Sequence, residues 1–262
     1  MISFLLKVLI FVLLTPCYGY AFGIDMYSSP TLISLGEIYL LSNTTETTFY
    51  QPAKNIEGFS ICHSNPHGFS ELNVIQLASQ FLILKELFAA GTHILDNEYI
   101  SDKVFYIGYS KLFSNISLGT NLRYYNQQIK GYKHLDAVTL NLGLIWHNEI
   151  LTHGMTYSNI SHSTSKGISL PTTLKYECMI TPIEKTNFGV SFEKEKNFEM
   201  RYAFSVSRQL LNMFSVNTGF INNPNQFSAG VIISIQRFDV SLGMRTHREL
   251  GYTKAIGILY KP

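Results

Sequence analysis

Eight histidines and three cysteines are the residues that most readily suggest chemistry. His147, His153 and His162 lie close in the chain, yet no pair shares a helical face, and neither H-E-x-x-H nor C-x-x-C occurs. A separation of six relates His147 and His153 only along a strand or through a turn. Rim or lumen histidines are the plainer reading, so no metal and no cofactor is expected. The stretch Asn159-Ile160-Ser161-His162-Ser163-Thr164-Ser165-Lys166-Gly167 sets hydroxyls beside an imidazole. A hydrolase needs a nucleophile, a base and a group to orient the base. No acid lies in this stretch, and its composition is that of a hairpin loop. No catalytic residue is assigned, and an enzyme is not expected.

The charges are more informative. Arg123, Glu199, Arg201, Arg237, Asp239 and Arg245 all fall on the polar side of alternating segments. One reading is a polar constriction or a lining that guides a ligand. The other is opposed charges that pair and stiffen a wall, as Arg237 and Asp239, two apart on one face, would allow. Twenty basic residues against 18 acidic ones leave no cluster for nucleic acid. Cys62 and Cys178 lie far apart in sequence; unpaired thiols are the simpler reading, although an oxidising compartment would permit a bridge.

The elements that must position these residues are strands. Val138, Leu140, Leu142, Leu144 and Trp146 alternate with Thr139, Asn141, Gly143, Ile145 and His147. The same period runs through Phe198–Ser207, Phe227–Ile235 and Arg237–Arg245, giving each segment one apolar and one polar face. Turn signals separate them at Ser114-Asn115, Lys130-Gly131, Glu195-Lys196-Asn197 and Asn222-Asn223-Pro224-Asn225. Segments of about 9 to 12 residues suit tilted membrane-crossing strands. About fourteen are expected, as a meander of hairpins. Connections look short except near residues 95–103 and 159–170.

Alternation alone does not say which face is inside, since a soluble barrel also alternates. Three features favour the membrane. The polar faces carry Ser, Thr, Asn and Gly, which suit a wet lumen. Phe105, Tyr106, Tyr109, Tyr124, Tyr125 and Tyr260 sit towards strand ends, as interfacial aromatics do. Charged residues make up only 15% of the chain, too few for an ordinary soluble domain. The N-terminus reads as a secretory signal over residues 1–21: Lys7, an apolar run from Val8 to Leu14, then Pro16, Cys17, Gly19 and Ala21. Cys17 offers a lipoprotein alternative, for which Pro16 is a poor neighbour. Residues 22–56 read as a plug or hatch in or near the lumen, or else as a loose tail with a first strand. Residues 57–262 read as the barrel. The expected fold is therefore all-β, a transmembrane antiparallel meander barrel in the bacterial outer membrane, with the lipid bilayer and the outer-membrane assembly machinery as partners.

The chain also resembles the PorV/PorQ-type branch of the FadL-like outer-membrane superfamily. Leu35-Gly36 followed by Phe49-Tyr50-Gln51-Pro52-Ala53 is similar to an early Gly-rich stretch and an aromatic-Asn-Pro-Ala-Gly motif, with Gln51 and Lys54 at the Asn and Gly positions. Ser117–Tyr125, Lys130–Tyr132 and Leu140–Leu144 resemble a hairpin of that family. Gly154-Met155, Asn159-Ile160 and Leu170-Pro171-Thr172 resemble its G…N…LP passage. His247-Arg248-Glu249-Leu250-Gly251-Tyr252-Thr253 is similar to its H-x-x-L-G-x-[ST] turn, although Lys254 stands where a second His is common. The resemblance implies a fourteen-stranded barrel with a segment in or near the lumen. For function it implies either a channel for small hydrophobic molecules or an accessory of type IX secretion and surface attachment.

Overall fold

A computed structural model describes residues 29–262 except 133, 149, 161–162, 165–169 and 197. The expected signal segment, with Lys7 and Cys17, and the His162 stretch lie outside the described residues. The strands are β1 (Gly58–Asn65), β2 (Val74–Ile83), β3 (Glu86–Asp96), β4 (Ile100–Phe113) and β5 (Ile116–Ile129). There follow β6 (Leu135–His147), β7 (Leu151–Ser158), β8 (Thr173–Ile183), β9 (Thr186–Glu195) and β10 (Arg201–Leu211). The last four are β11 (Phe214–Ile221), β12 (Gln226–Ile235), β13 (Phe238–His247) and β14 (Gly251–Tyr260). Each pairs antiparallel with the next, and β14 returns to β1 with Tyr260 opposite Phe59 and Lys254 opposite Asn65. The result is the closed fourteen-stranded meander that the alternation predicts. Ser163–Thr164 adds a two-residue pairing to β6.

The sidedness follows from the alternation. On β6, Val138, Leu142 and Leu144 are exposed while Ala137, Thr139 and Asn141 are buried. On β14, Tyr252, Ile256 and Ile258 point out while Thr253, Ala255 and Leu259 point in. An apolar exterior over a polar, small-residue interior is the inverse of a soluble barrel and suits lipid. Closure leaves no unpaired edge in hydrocarbon. Among the described residues no helix is long and apolar enough to cross a membrane.

One end of the barrel carries short turns, such as Leu84-Lys85, Ser114-Asn115, Glu184-Lys185 and Gln236-Arg237; the other carries longer connections at 66–73, 159–172 and 196–200. Short turns face the periplasm in bacterial barrels of this kind. The long connection expected at 95–103 is instead strand on both sides of a tight turn. There Asn97 Oδ1 accepts from the backbone N–H of Tyr99 (2.9 Å) and Ile100 (2.8 Å), an Asx turn that lets pairing resume at once. β10 begins at Arg201 rather than Phe198. Lys194 Nζ donates to Phe198 O, and Phe198 stays in the 196–200 connection.

Residues 29–57 occupy the lumen. Helix α1 (Pro30–Ser34) starts on Ser29, whose Oγ accepts from Leu32 N (3.4 Å), with Pro30 in the first turn. It ends where Gly36, at φ 56°, donates to Ile33 O and Glu37 donates to Leu32 O (2.9 Å), a Schellman closure. Helix α2 (Thr47–Tyr50) follows a 3-10 turn at Tyr39–Leu41. Two apolar nests hold this segment: Leu32, Phe49 and Tyr50 against Ala78, Ala89, Val104, Tyr106 and Tyr125, and Leu35, Ile38 and Leu41 against Ala203 and Ile221. Elsewhere it presses on the wall so closely that a Cβ at Gly119 would strike Pro52 O and one at Gly243 would strike Pro30 O.

Candidate functional site

A cavity of about 580 Å³ opens at the long-connection end, above the lumen segment. Its floor includes Glu37, Tyr39 and Tyr50; its walls carry Arg123, Lys175, Arg201 and Arg245; Phe198, Glu199, His247 and Leu250 stand around it. This vestibule is the candidate site.

Glu37 is its centre. Its backbone sits in the left-handed region (φ 62°), an uncommon conformation for a residue with a side chain, imposed by the α1 closure. That turn sends the carboxylate to the wall. Arg201 Nη2 lies 2.8 Å from Glu37 Oε2, Arg245 Nη1 pairs with Glu37 Oε1, and Lys175 Nζ donates to Glu37 O (2.5 Å). Arg201 also faces Glu193 (3.6 Å), and Lys175 faces Glu193 (3.4 Å) and Glu177 (3.6 Å). Glu177 in turn accepts from the backbone N–H of Tyr39 (2.8 Å) and Leu40 (3.1 Å). Burial alone pushes the Glu37 carboxyl up, but Arg201, Arg245 and Lys175 outweigh it and hold the group well below the ordinary carboxylate range. The network therefore holds three carboxylates and three cations in a place largely shut from water.

Aromatic rings roof this charge. Lys175 Nζ stands 3.6 Å from the Tyr39 ring centre, and Tyr39 stacks on Tyr50 at 5.3 Å. Deeper, the Arg123 guanidinium lies 3.9 Å over Phe49 and donates to Phe49 O. Asn121 donates to Thr48 O and Phe49 O (both 2.9 Å), and Asn141 donates to Asn121 Oδ1 (2.6 Å). Lys54 takes the place of the glycine in the aromatic-Asn-Pro-Ala-Gly pattern. Its ammonium donates to Leu40 O (2.6 Å), and burial pushes its pKa down to about 8.

Of the charges singled out in the sequence, Arg123, Arg201 and Arg245 meet around the lumen segment. Glu199 lies in the connection between β9 and β10, where it accepts from Asn223 Nδ2 (3.2 Å) at the mouth. Arg237 is exposed in the β12–β13 turn and is not a lumen residue. A period-two run continues through a tight turn without marking it. Asp239 pairs with Lys261 rather than Arg237, at the short-turn end and away from the vestibule. His247 and Gly251 bracket the β13–β14 turn, and His247 Nδ1 accepts from the backbone N–H of Glu249 (3.3 Å) and Leu250 (3.2 Å). Lys175, Glu177 and Glu193 escaped the sequence reading, although each lies on the polar face of its segment. Glu37 escaped it because nothing local shows what it meets.

His153 serves packing. It stacks between Trp146 and Tyr176 on the outer wall, and its Nδ1 lies 2.7 Å from Tyr176 Oη. Among the described residues no three His, Cys, Asp or Glu side chains converge on a metal position. Cys62 is buried on the inner face, and Cys178 is also a free thiol.

Fold and site together define a lumen-filled transmembrane β-barrel of the bacterial outer-membrane type. No protein-family model and no curated relative matches the sequence. Among solved structures, the chain is similar to the CymD monoaromatic hydrocarbon channel (TM-score 0.65, 11% identity, covering 92% of this chain and 99% of that one). It is similar also to the toluene transporter TbuX of Ralstonia pickettii (0.66, 10%, 92% and 100%). A third is a Pseudomonas aeruginosa FadL homologue (0.58, 9%, 89% and 98%). At these identities the likeness is one of fold, a closed β-barrel such as the sequence motifs imply.

Proposed function

We propose that the protein is an outer-membrane channel for small hydrophobic solutes in which residues 29–57 act as a hatch. The observation that carries this reading is the way the hatch is held. It is a separate stretch of chain inside a complete wall, fixed by one ion-pair network, two apolar nests and hydrogen bonds to Ser and Asn side chains, beneath a vestibule with Tyr39 and Tyr50 in its floor. Such an attachment can be undone without opening the barrel. The likeness to barrels described as a monoaromatic hydrocarbon channel and a toluene transporter supports the same reading. The test is transfer of a fluorescent hydrophobic probe across vesicles holding the purified barrel. Transfer above that of empty vesicles is expected, rising when Glu37→Gln loosens the hatch. A rate equal to that of empty vesicles for both proteins would sink the proposal.

A second reading, an accessory of type IX secretion or surface attachment in the manner of PorV, draws on one observation. The cavity floor is charged, whereas a channel of this class calls for an apolar pocket. Co-purification of secretion-system proteins with the barrel, without probe transfer, would favour it.

A further inference from the structure

We propose that Arg208 and Lys185 form a binding site for the phosphate of an anionic membrane phospholipid, on the outer wall at the short-turn end. Many charges on the lipid-facing wall are answered by protein partners, although Lys254, at the opposite rim, has none among the described residues. Lys111 pairs with Glu86 at 2.5 Å and Lys103 with Asp96 at 3.0 Å. Asp136 meets His134 at 3.0 Å, and Lys194 donates to Phe198 O. Arg208 stands apart near the short-turn end. It is exposed on the outward face of β10, with Thr186 and Val216 as its cross-strand neighbours, and among the described residues its side chain has no ion pair or hydrogen bond.

Its surroundings are those of a membrane interface. Phe204 (50% exposed) lies above it on the same face, with Leu210, Leu211, Met213 and Ile183 exposed at the barrel edge. Arg208 is three residues from the end of β10, which for a tilted strand is roughly 7 Å from the edge. At that depth a guanidinium snorkels to the headgroup level, where a phosphate accepts from its fork. Lys185 supplies the second cation. It occupies the adjacent β9 hairpin at φ 63°, its carbonyl accepts from Gln209 N (2.9 Å), and its ammonium lies 3.3 Å from Asn212 Oδ1. Both cations thus flank the same strand pair. Glu184 precedes Lys185 in the turn, which leaves one positive charge in excess and favours an anionic headgroup over a zwitterionic one.

The test is native mass spectrometry of the folded barrel in non-ionic detergent, titrated with phosphatidylglycerol and, separately, phosphatidylethanolamine. Wild type is expected to retain one phosphatidylglycerol in preference to phosphatidylethanolamine. Arg208→Gln with Lys185→Gln should weaken that retention on the order of tenfold, while Lys254→Gln, an outward cation at the opposite rim, should not. Lys185→Gln alone alters only an exposed turn side chain, and it should lower retention whether or not the Arg208 variant folds. Retention in Lys185→Gln equal to wild type, or equal retention of the two lipids, overturns the proposal.

Discussion

Arg201 Nη2 and Glu37 Oε2 stand 2.8 Å apart, joining strand β10 to a turn of the lumen segment 164 residues earlier in the chain. With Arg245 on the other carboxylate oxygen, this contact bridges β10 and β13 through a residue belonging to neither. The lumen segment is thereby part of the wall's own charge balance, and removing its carboxylate leaves three cations with only Glu193 and Glu177 beside them.

Glu37→Gln should therefore free the segment without unfolding the barrel. Taking one carboxylate out of a buried ion-pair network costs up to about 3–5 kcal/mol. Amide hydrogen exchange over residues 30–50 should accelerate by more than an order of magnitude, while the β4–β6 amides keep their protection and the heat-modifiable gel mobility is unchanged. Equal exchange in variant and wild type would show that the clamp does not hold the segment.

Acid should act in the same direction. The Glu37 carboxyl is held below its ordinary value of 4.5 while docked, so its contribution is complete above that pH and is lost as pH falls further, towards the docked value. Protection of the segment should be flat from pH 7 to about 5 and decline only below about 4.5, with that decline absent in Glu37→Gln.

Lys54 should produce a dependence of the same sense in an alkaline window. Its pKa is lowered from 10.5 to about 8 by burial, so the released segment binds more protons between those values and docking strengthens as pH rises through that range. Lys54→Met should abolish this rise, measured by the same exchange experiment between pH 7.5 and pH 10.

How much of this was legible from the sequence divides along a physical line. The strand count, the lipid-facing residues and turns such as Ser114-Asn115 follow from period-two patterning, because a strand's sidedness is local. Where Arg237 would fall was not legible, since alternation continues through Gln236-Arg237 while the chain reverses. The longer 66–73 connection was not expected, although Pro66, His67 and Gly68 stand in it. The clamp was half visible: Arg201 and Arg245 stood out as inward charges, but their partner lies in a stretch whose Ser, Thr and Gly content looks like any loop. The clamp contacts that dock that stretch, Glu37 with Arg201 and Arg245, join residues more than 160 positions apart, and no local pattern encodes them.

Gly243→Ala should dislodge α1. The new methyl would meet Pro30 O, a backbone atom that cannot move aside as a flexible side chain end would. A destabilisation of about 2 kcal/mol or more is expected, read as a lower thermal unfolding midpoint. The same substitution at Gly131, at φ 85° with nothing within 4 Å of a Cβ, carries backbone strain without the clash and so separates the two effects.

His247→Ala should weaken the final hairpin. Two backbone N–H groups lose their acceptor, a cost of about 1 kcal/mol, and the yield of barrel with heat-modifiable mobility should fall. His247→Asn, which restores a short acceptor at this turn, should recover part of it.

The lumen segment is joined to β1 by residues 54–57, where Asn55 Nδ2 donates to Ser117 Oγ (3.0 Å) and Ile56 N to Gln80 Oε1 (2.5 Å). On the channel reading proposed above, that side would serve as the hinge. With the clamp on β10 and β13, a hatch released there would swing rather than withdraw. The aperture it would leave is an off-axis crescent along β10–β13, whose inner faces carry Ser205, Asn217, Ser228 and Ser241. A molecule passing through would slide between a hydroxyl-lined wall and the uncovered apolar side of Leu35, Ile38 and Leu41, meeting polar and greasy surfaces at once.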